Sequence, residues 1–241
     1  IEGGISLIPK YKHVAEQIEI EINEHVYQHT NKLLTEDEYA QKFDVSRNTI
    51  RKAIEILVNK GYVYQVQGSG VFVRDHYKSD YVNLEKLQGL TSDFSGRKVE
   101  TRVLAFEQTK ADEEVAERMK CPIGTPVYYV KRLRLVDDHP FSIEASYFRK
   151  NLVMYLDENI VQKSIYTYLR NDQNLSIGFA DRVIYADYLN SSDAELLGLK
   201  ENDPSLLVDN TVYLTNGKIF DVSRATHHFR HVKMLKVSNI K

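Results

Sequence analysis

A single cysteine, Cys121, stands among the 241 residues, so no intrachain disulfide can staple the fold, which fits a reducing compartment. No apolar run approaches the ~18 residues that span a bilayer, and no charged-then-apolar signal segment opens the chain. No membrane association and a cytoplasmic location are therefore expected. A cationic excess is also missing: 32 Lys and Arg face 34 Asp and Glu, for a formal net charge of −2. A strongly basic domain would announce a nucleic-acid partner; here any such role has to rest on the local placement of cations. The first third is itself slightly acidic, with Glu16, Glu19, Glu21 and Glu24 on one segment.

The motifs of common catalytic sites are absent too. There is no P-loop, nucleophile elbow, zinc-ligand spacing or dinucleotide fingerprint. Cys121 abuts Pro122 in a turn, the setting of an incidental thiol. His227 and His228 are adjacent in a strand-like run, so they point to opposite faces and cannot serve one site together. His25 and His29 are four apart, but no third ligand stands near them. No catalytic residue, cofactor or metal is predicted.

What is present is an ordinary globular composition, 42% hydrophobic and 27% charged, long enough for one large or two modest domains. The opening IEGGIS looks like an appended segment and is set aside in predicting the fold. After Pro9, which suits a first helical turn, Tyr11, Val14, Ile18, Ile22 and Val26 recur at three- and four-residue steps as one helical face. Thr35 followed by Glu38 is a capping box that opens a brief helix at approximately 36–42, with Tyr39, Ala40 and Phe43 on its apolar side. After a short turn, Ser46 caps a second helix whose buried stripe is Ile50, Ala53, Ile54 and Leu57, closed by Gly61. Two short helices joined by a tight turn, the second polar at its front, form a helix-turn-helix. In such motifs the front of the second helix meets base edges in the major groove. Arg47 has the fork for guanine, Asn48 suits adenine or a phosphate, and Thr49 and Arg51 suit the backbone. YVYQVQGSGVFV at 62–73 then reads as a β-hairpin, a wing whose glycine tip can approach a sugar-phosphate backbone closely.

In sequence this segment resembles the winged helix-turn-helix of GntR-type bacterial transcription regulators. The resemblance rests on P-K-Y near position 9, L-x-T-E-x-E at 33–38, F-x-V-S-R-N-T-I-R-K-A at 43–53, G-Y at 61–62 and Q-G-S-G-V-F-V at 67–73. It implies DNA contacts from Thr35, Arg47, Asn48, Thr49, Arg51, Gln67 and Gly68. The chain departs from the family at Asp37, where a basic or amide residue often reaches DNA. An acid there would repel phosphate, so that contact is expected to be missing or altered. His25 to Thr30 also replace the usual glycines between the first two helices.

RDHYKSDY at 74–81 has no period and reads as a linker. The remainder alternates strand-like runs (99–109, 127–136, 141–148, 179–189, 206–214, 218–229) with short helices (111–119, approximately 157–169, 192–199). Asn216-Gly217 between two alternating runs marks a hairpin, and the whole is an α+β domain on an antiparallel sheet. Alternation puts Arg132 and Arg134 on one face. Two guanidiniums there either face water beside carboxylates or are buried with an anion between them. Asp221, Ser223 and His227 share a face of the last strand, opposite Phe220 and Val222, and either line a pocket or face water.

This second part resembles the UTRA effector-binding domain of the HutC branch of GntR regulators, a fold similar to chorismate lyase. The resemblance rests on LQGLTSDF (87–94), R-L-R with P-F-S-I-E-A-S-Y-F (132–148), K-S-I-Y-T-Y-L (163–169) and T-N-G-K-I-F-D-V-S in the closing hairpin. It implies a phosphate held by Arg132, Arg134, Ser164 and Gly89-Leu90-Thr91, and sugar hydroxyls held by Glu144, Asp221 and His227, the last in place of a frequent tyrosine. The expected domains are a winged helix-turn-helix at 8–75, a linker at 76–82 and an effector-binding, dimerising α+β domain at 83–241. The expected protein is a homodimeric repressor of sugar-utilisation genes on a palindromic operator, responsive to a sugar phosphate. The alternative is an enzyme of chorismate-lyase-like fold acting on a small anionic substrate.

Overall fold

The structure, a computed structural model, describes residues 9–74, 81–84, 89–94 and 96–236. The expected linker falls outside them except for Tyr81 and Val82, as do Leu87 and Gln88 and the IEGGIS opening. Contacts divide the chain into two units, one of residues up to 80 with the last described residues, 235–236, the other of residues 81–234.

In the first unit, α1 (Lys10–Asn23) buries Val14, Ala15, Ile18 and Ile22. The stripe was expected to continue to Val26, but the helix ends at Asn23, His25 adopts a left-handed φ of 60°, and Val26 is exposed. Tyr27 goes inward in its place; its hydroxyl donates to Glu21 and lies 2.7 Å from the Tyr39 hydroxyl. α2 (Glu36–Phe43) opens on the expected capping box: Thr35 Oγ1 accepts from the Glu38 N–H at 3.3 Å, and the Glu38 carboxylate accepts from the Thr35 N–H at 2.7 Å. α3 (Arg47–Asn59) opens with Ser46 Oγ accepting from the Thr49 N–H and buries Ile50, Ala53, Ile54 and Leu57 as the spacing predicts. Each Ile or Leu of that stripe contributes roughly 1.5–3 kcal/mol by leaving water.

β1 (Val63–Val66) and β2 (Gly70–Val73) pair antiparallel as the wing. The chain before α2 adds to it through the Leu33 N–H to the Val71 carbonyl. Gly70 sits at φ 120°, and a Cβ there would lie 2.9 Å from Lys32 Cε.

The second unit runs β3 (Val82–Asn83), α4 (Leu90–Asp93), β4 (Val99–Lys110), α5 (Glu113–Met119), β5 (Pro126–Val136), β6 (His139–Arg149), α6 (Glu158–Val161), α7 (Ile165–Asn171), β7 (Ile177–Tyr188), α8 (Ser191–Leu197), β8 (Pro204–Leu214) and β9 (Ile219–His228). β4 to β9 form one antiparallel sheet in the order β4-β5-β6-β9-β8-β7, the α+β arrangement predicted. α5 and α8 pack on one face, against Val127 and Val222 and against Leu133, Leu135 and Ile143. α6 and α7 pack on the other, against Tyr128, Val130, Phe148 and Val212. The single helix expected at 157–169 is two, because Ser164 leaves helical geometry (ψ 100°) and starts a new helix as its N-cap. The β5–β6 turn uses Asp137 and Asp138, both at positive φ, which matches the twist of the strands they join.

Candidate ligand cavity and nucleic-acid interface

Strand register builds a polar patch on the face shared with α6 and α7. Antiparallel partners present side chains to the same side. Arg134 therefore stands in line with Ser142, His227 and Leu206, while Arg132 stands in line with Glu144, Ala225 and Val208. The next line is Ser146, Ser223, Asn210 and Arg182, and the one after it is Phe148, Asp221 and Val212. Above these lines, from Arg134 to Asp221, lies a cavity of about 140 Å³, also bordered by Val82, Leu84, Gly89, Leu90, Asp93, Tyr166 and Met234.

The two arginines are buried, with an anion supplied by the chain itself. Glu144 accepts from Arg132 Nη2 at 2.6 Å and from Arg134 Nη1 at 3.2 and 3.3 Å. Arg132 also donates 3.1 Å bonds to the carbonyls of Val161 and Lys163 at the end of α6, and Arg134 Nη2 donates to Thr91 Oγ1 at 3.2 Å. Burial opposes the Glu144 charge, but the Arg134 and Arg132 guanidiniums outweigh it and hold the carboxyl at about 2. Burial pushes the Arg132 guanidinium down, while Glu144 pushes it back up.

Asp221 is the opposite case. It is 1% exposed and lies in line with Phe148 and Val212; burial raises its carboxyl to about 7 although Tyr166 and Arg132 favour the charge. The Tyr166 hydroxyl donates to its Oδ2 at 2.5 Å. Asp221 Oδ1, Ser142 Oγ and Arg134 Nε are buried without a hydrogen bond among the described residues, and all three residues line the cavity. Buried polar atoms cost free energy unless bonded, so such a group of donors and acceptors suits a polar ligand.

Of the residues proposed from sequence for an effector, Gly89, Leu90, Arg132, Arg134, Glu144, Asp221 and His227 line this cavity, and Thr91 is bonded to Arg134. Ser164 does not line it: its hydroxyl caps α7, accepting from the Thr167 N–H and lying 2.8 Å from Thr167 Oγ1. His227 Nδ1 is 3.0 Å from the Leu206 carbonyl, and burial lowers its affinity for a proton. Sequence reading missed Ser142, Tyr166, Arg182 and Asn210. Ser142 was within reach, two residues before Glu144 on one strand; Arg182 and Asn210 needed the register of β7 and β8.

In the first unit Arg47, Asn48 and Arg51 are exposed along the front of α3, and Gln67 and Gly68 are exposed at the wing tip. Thr35 and Thr49 carry their hydroxyls in the two helix caps. Asp37, read as an acid that would repel phosphate, has a local partner: it forms an ion pair with Arg47 Nε, and Glu36 forms one with Arg51 Nε at 2.8 Å. Among the described residues no group of three or more His, Cys, Asp or Glu is placed to hold a metal ion. No described helix is long and apolar enough to cross a membrane.

A winged helix-turn-helix joined to a sheet domain with a charged cavity defines a ligand-responsive DNA-binding regulator. The sequence profile of the bacterial regulatory proteins of the gntR family matches residues 10–73, and that of the UTRA domain matches residues 95–233. The chain belongs to the GntR family of transcription regulators, in its UTRA-containing (HutC-type) branch. It is 36% identical over 230 residues to the uncharacterised HTH-type transcriptional regulator YydK of Bacillus subtilis, covering 95% of this chain and 98% of YydK. The crystal structure of YydK superposes with a TM-score of 0.81 at 35% identity, covering 96% of this chain and all of that one. The HTH-type transcriptional repressor NagR of B. subtilis is 31% identical over 227 residues (92% and 91% of the chains). The mannosyl-D-glycerate transport/metabolism system repressor MngR of Escherichia coli is 27% identical over 220 residues (90% of each). These relatives are regulators rather than enzymes, which removes the catalytic alternative.

Proposed function

We propose that the protein is a cytoplasmic repressor of sugar-utilisation genes, released from its operator by a small phosphorylated sugar. It binds a palindromic operator as a homodimer with one α3 in each half-site, and the UTRA domain supplies the dimer interface. Ligand in the cavity shifts the pair of DNA-binding heads through residues 76–82. The shift requires a higher ligand affinity for the arrangement that does not fit DNA.

The observation that carries the ligand class is the Arg132–Glu144–Arg134 cluster. A phosphate approaching the guanidiniums competes with Glu144, since both accept from the same guanidinium N–H groups. A displaced carboxylate needs new donors, and the hydroxyls of a sugar supply them beside the phosphate. Asp221 and Ser142 extend the same polar lining. MngR, 27% identical over 90% of each chain, is named as the repressor of a mannosyl-D-glycerate transport/metabolism system.

The test is a thermal-shift screen of sugar phosphates on the full chain, repeated as release of a selected operator duplex. A compound that raises the melting temperature and releases DNA supports the reading. If sugar phosphates neither stabilise the protein nor release DNA, while neutral sugars do, the phosphate assignment fails.

A further inference from the structure

Both arginines at the front of α3 are gripped in the same way by the first turn of α2. Asp37 takes the Nε of Arg47, and Glu36 takes the Nε of Arg51 with both carboxylate oxygens, at 2.8 and 3.0 Å. Gripping a guanidinium by Nε leaves its two terminal amino groups free as a fork, the geometry that pairs with guanine O6 and N7. The backbones beneath both partners are fixed: Thr35 and Glu38 cap α2, and Ser46 caps α3. The charges remain at the surface, 64% exposed for Arg47 and 55% for Asp37. An exposed ion pair of this kind adds little to stability beyond what an acid in the first turn of α2 gains from the helix dipole, and that gain does not require Arg47 as its partner.

We propose that Asp37 is a specificity-determining residue of the DNA interface: it positions the Arg47 fork for a base edge and suppresses binding to unrelated sequence. This rests on the reading of Arg47 as a base-contacting residue. The positioning lowers the freedom Arg47 loses on contacting a base. The negative charge weakens the sequence-independent attraction to phosphates in a domain without cationic excess. Together they move binding free energy from phosphate contacts to base contacts. Glu36 does the same for Arg51 at the next turn of α3.

The experiment is selection of bound duplexes from a random-sequence pool by the full-length protein, in four forms: wild type, Asp37→Ala, Asp37→Glu and Arg47→Ala. Binding of each form to a fixed unrelated duplex is measured across a salt series. Expected for Asp37→Ala is a loss of base preference at the same position that Arg47→Ala flattens. Its ratio of specific to unrelated binding should fall roughly tenfold, while binding to the unrelated duplex rises. Asp37→Glu should restore the preference. A selected motif unchanged in Asp37→Ala, with tighter binding to every duplex, would make the acid a repulsive charge only and overturn the proposal. An unchanged motif in Arg47→Ala would overturn the base-reading role itself and the proposal with it, an outcome distinct from the first. Unfolding curves of Asp37→Asn, which keeps the shape of the side chain, separate these effects from loss of charge at the start of α2.

Discussion

The Tyr166 hydroxyl sits 2.5 Å from Asp221 Oδ2, so one oxygen of this buried carboxylate is bonded to α7 while Oδ1 has no hydrogen bond among the described residues. The pair joins the last strand of the sheet to the helix beside the cavity. One charge of the cavity lining therefore changes near neutral pH, because burial has raised the Asp221 carboxyl to about 7.

That shift has a definite sign in stability. The folded carboxyl holds its proton up to about pH 7, whereas in the unfolded chain it ionises near 3.8. Between those values the folded state binds a proton that the unfolded state has released, so stability falls as pH rises through the window and levels off above it. Asp221→Asn should remove this slope. Relative to wild type it gains most above pH 7, by at most about 4 kcal/mol, as read from urea unfolding at pH 5 and pH 8.

Glu144 is held at about 2, well below its ordinary value of 4.5, so its contribution is present above pH 4.5 and fades as pH falls toward 2. Glu144→Gln leaves two buried guanidiniums without their counter-ion and should cost about 3–5 kcal/mol. Added sulfate, an anion that can take the vacated position on the guanidinium fork, should then raise the melting temperature of the variant more than that of wild type. Equal shifts in the two proteins would show that the arginines do not receive an external anion.

Ser164→Ala should lower stability by about 0.5–2 kcal/mol through loss of the α7 cap. Affinity for a cavity ligand should change little, since the hydroxyl bonds Thr167 and Ser164 does not line the cavity. Calorimetric titration of wild type and variant with the same sugar phosphate separates the two roles.

At the wing, Gly70→Ala should be worse than Gly68→Ala. Both positions have positive φ, but only at Gly70 does a new Cβ meet another side chain, 2.9 Å from Lys32 Cε. The expected costs are about 1–3 kcal/mol for Gly70 and about 1 kcal/mol for Gly68, measured by thermal unfolding.

Local signals made the helix-turn-helix legible. Thr35 with Glu38 and Ser46 with Thr49 are interactions across three residues, and the Ile50–Leu57 stripe is a helical period, so each is written in neighbouring letters. The same reading failed at Val26, because the chain leaves the helix at a left-handed His25 that no glycine announces. In the sheet domain, strand alternation placed Arg132 with Arg134 and Asp221 with His227. It could not place Glu144 between the arginines or Arg182 at the end of the Asn210 line, since both follow from the register between paired strands, which alternation within one strand does not fix. Ser164 shows the other limit: its role by resemblance was ligand contact, while its immediate geometry is that of a helix cap.

On the proposed function, the charged cavity controls DNA binding without taking part in it. Fluorescence anisotropy of the full-length protein on a selected operator duplex, titrated with a stabilising sugar phosphate, tests it most directly when wild type is compared with the Arg132→Ala, Arg134→Ala double variant. The predicted result is equal operator affinity for the two proteins without ligand, and release by ligand in wild type alone. Ligand-induced release that persists in a folded double variant would contradict it.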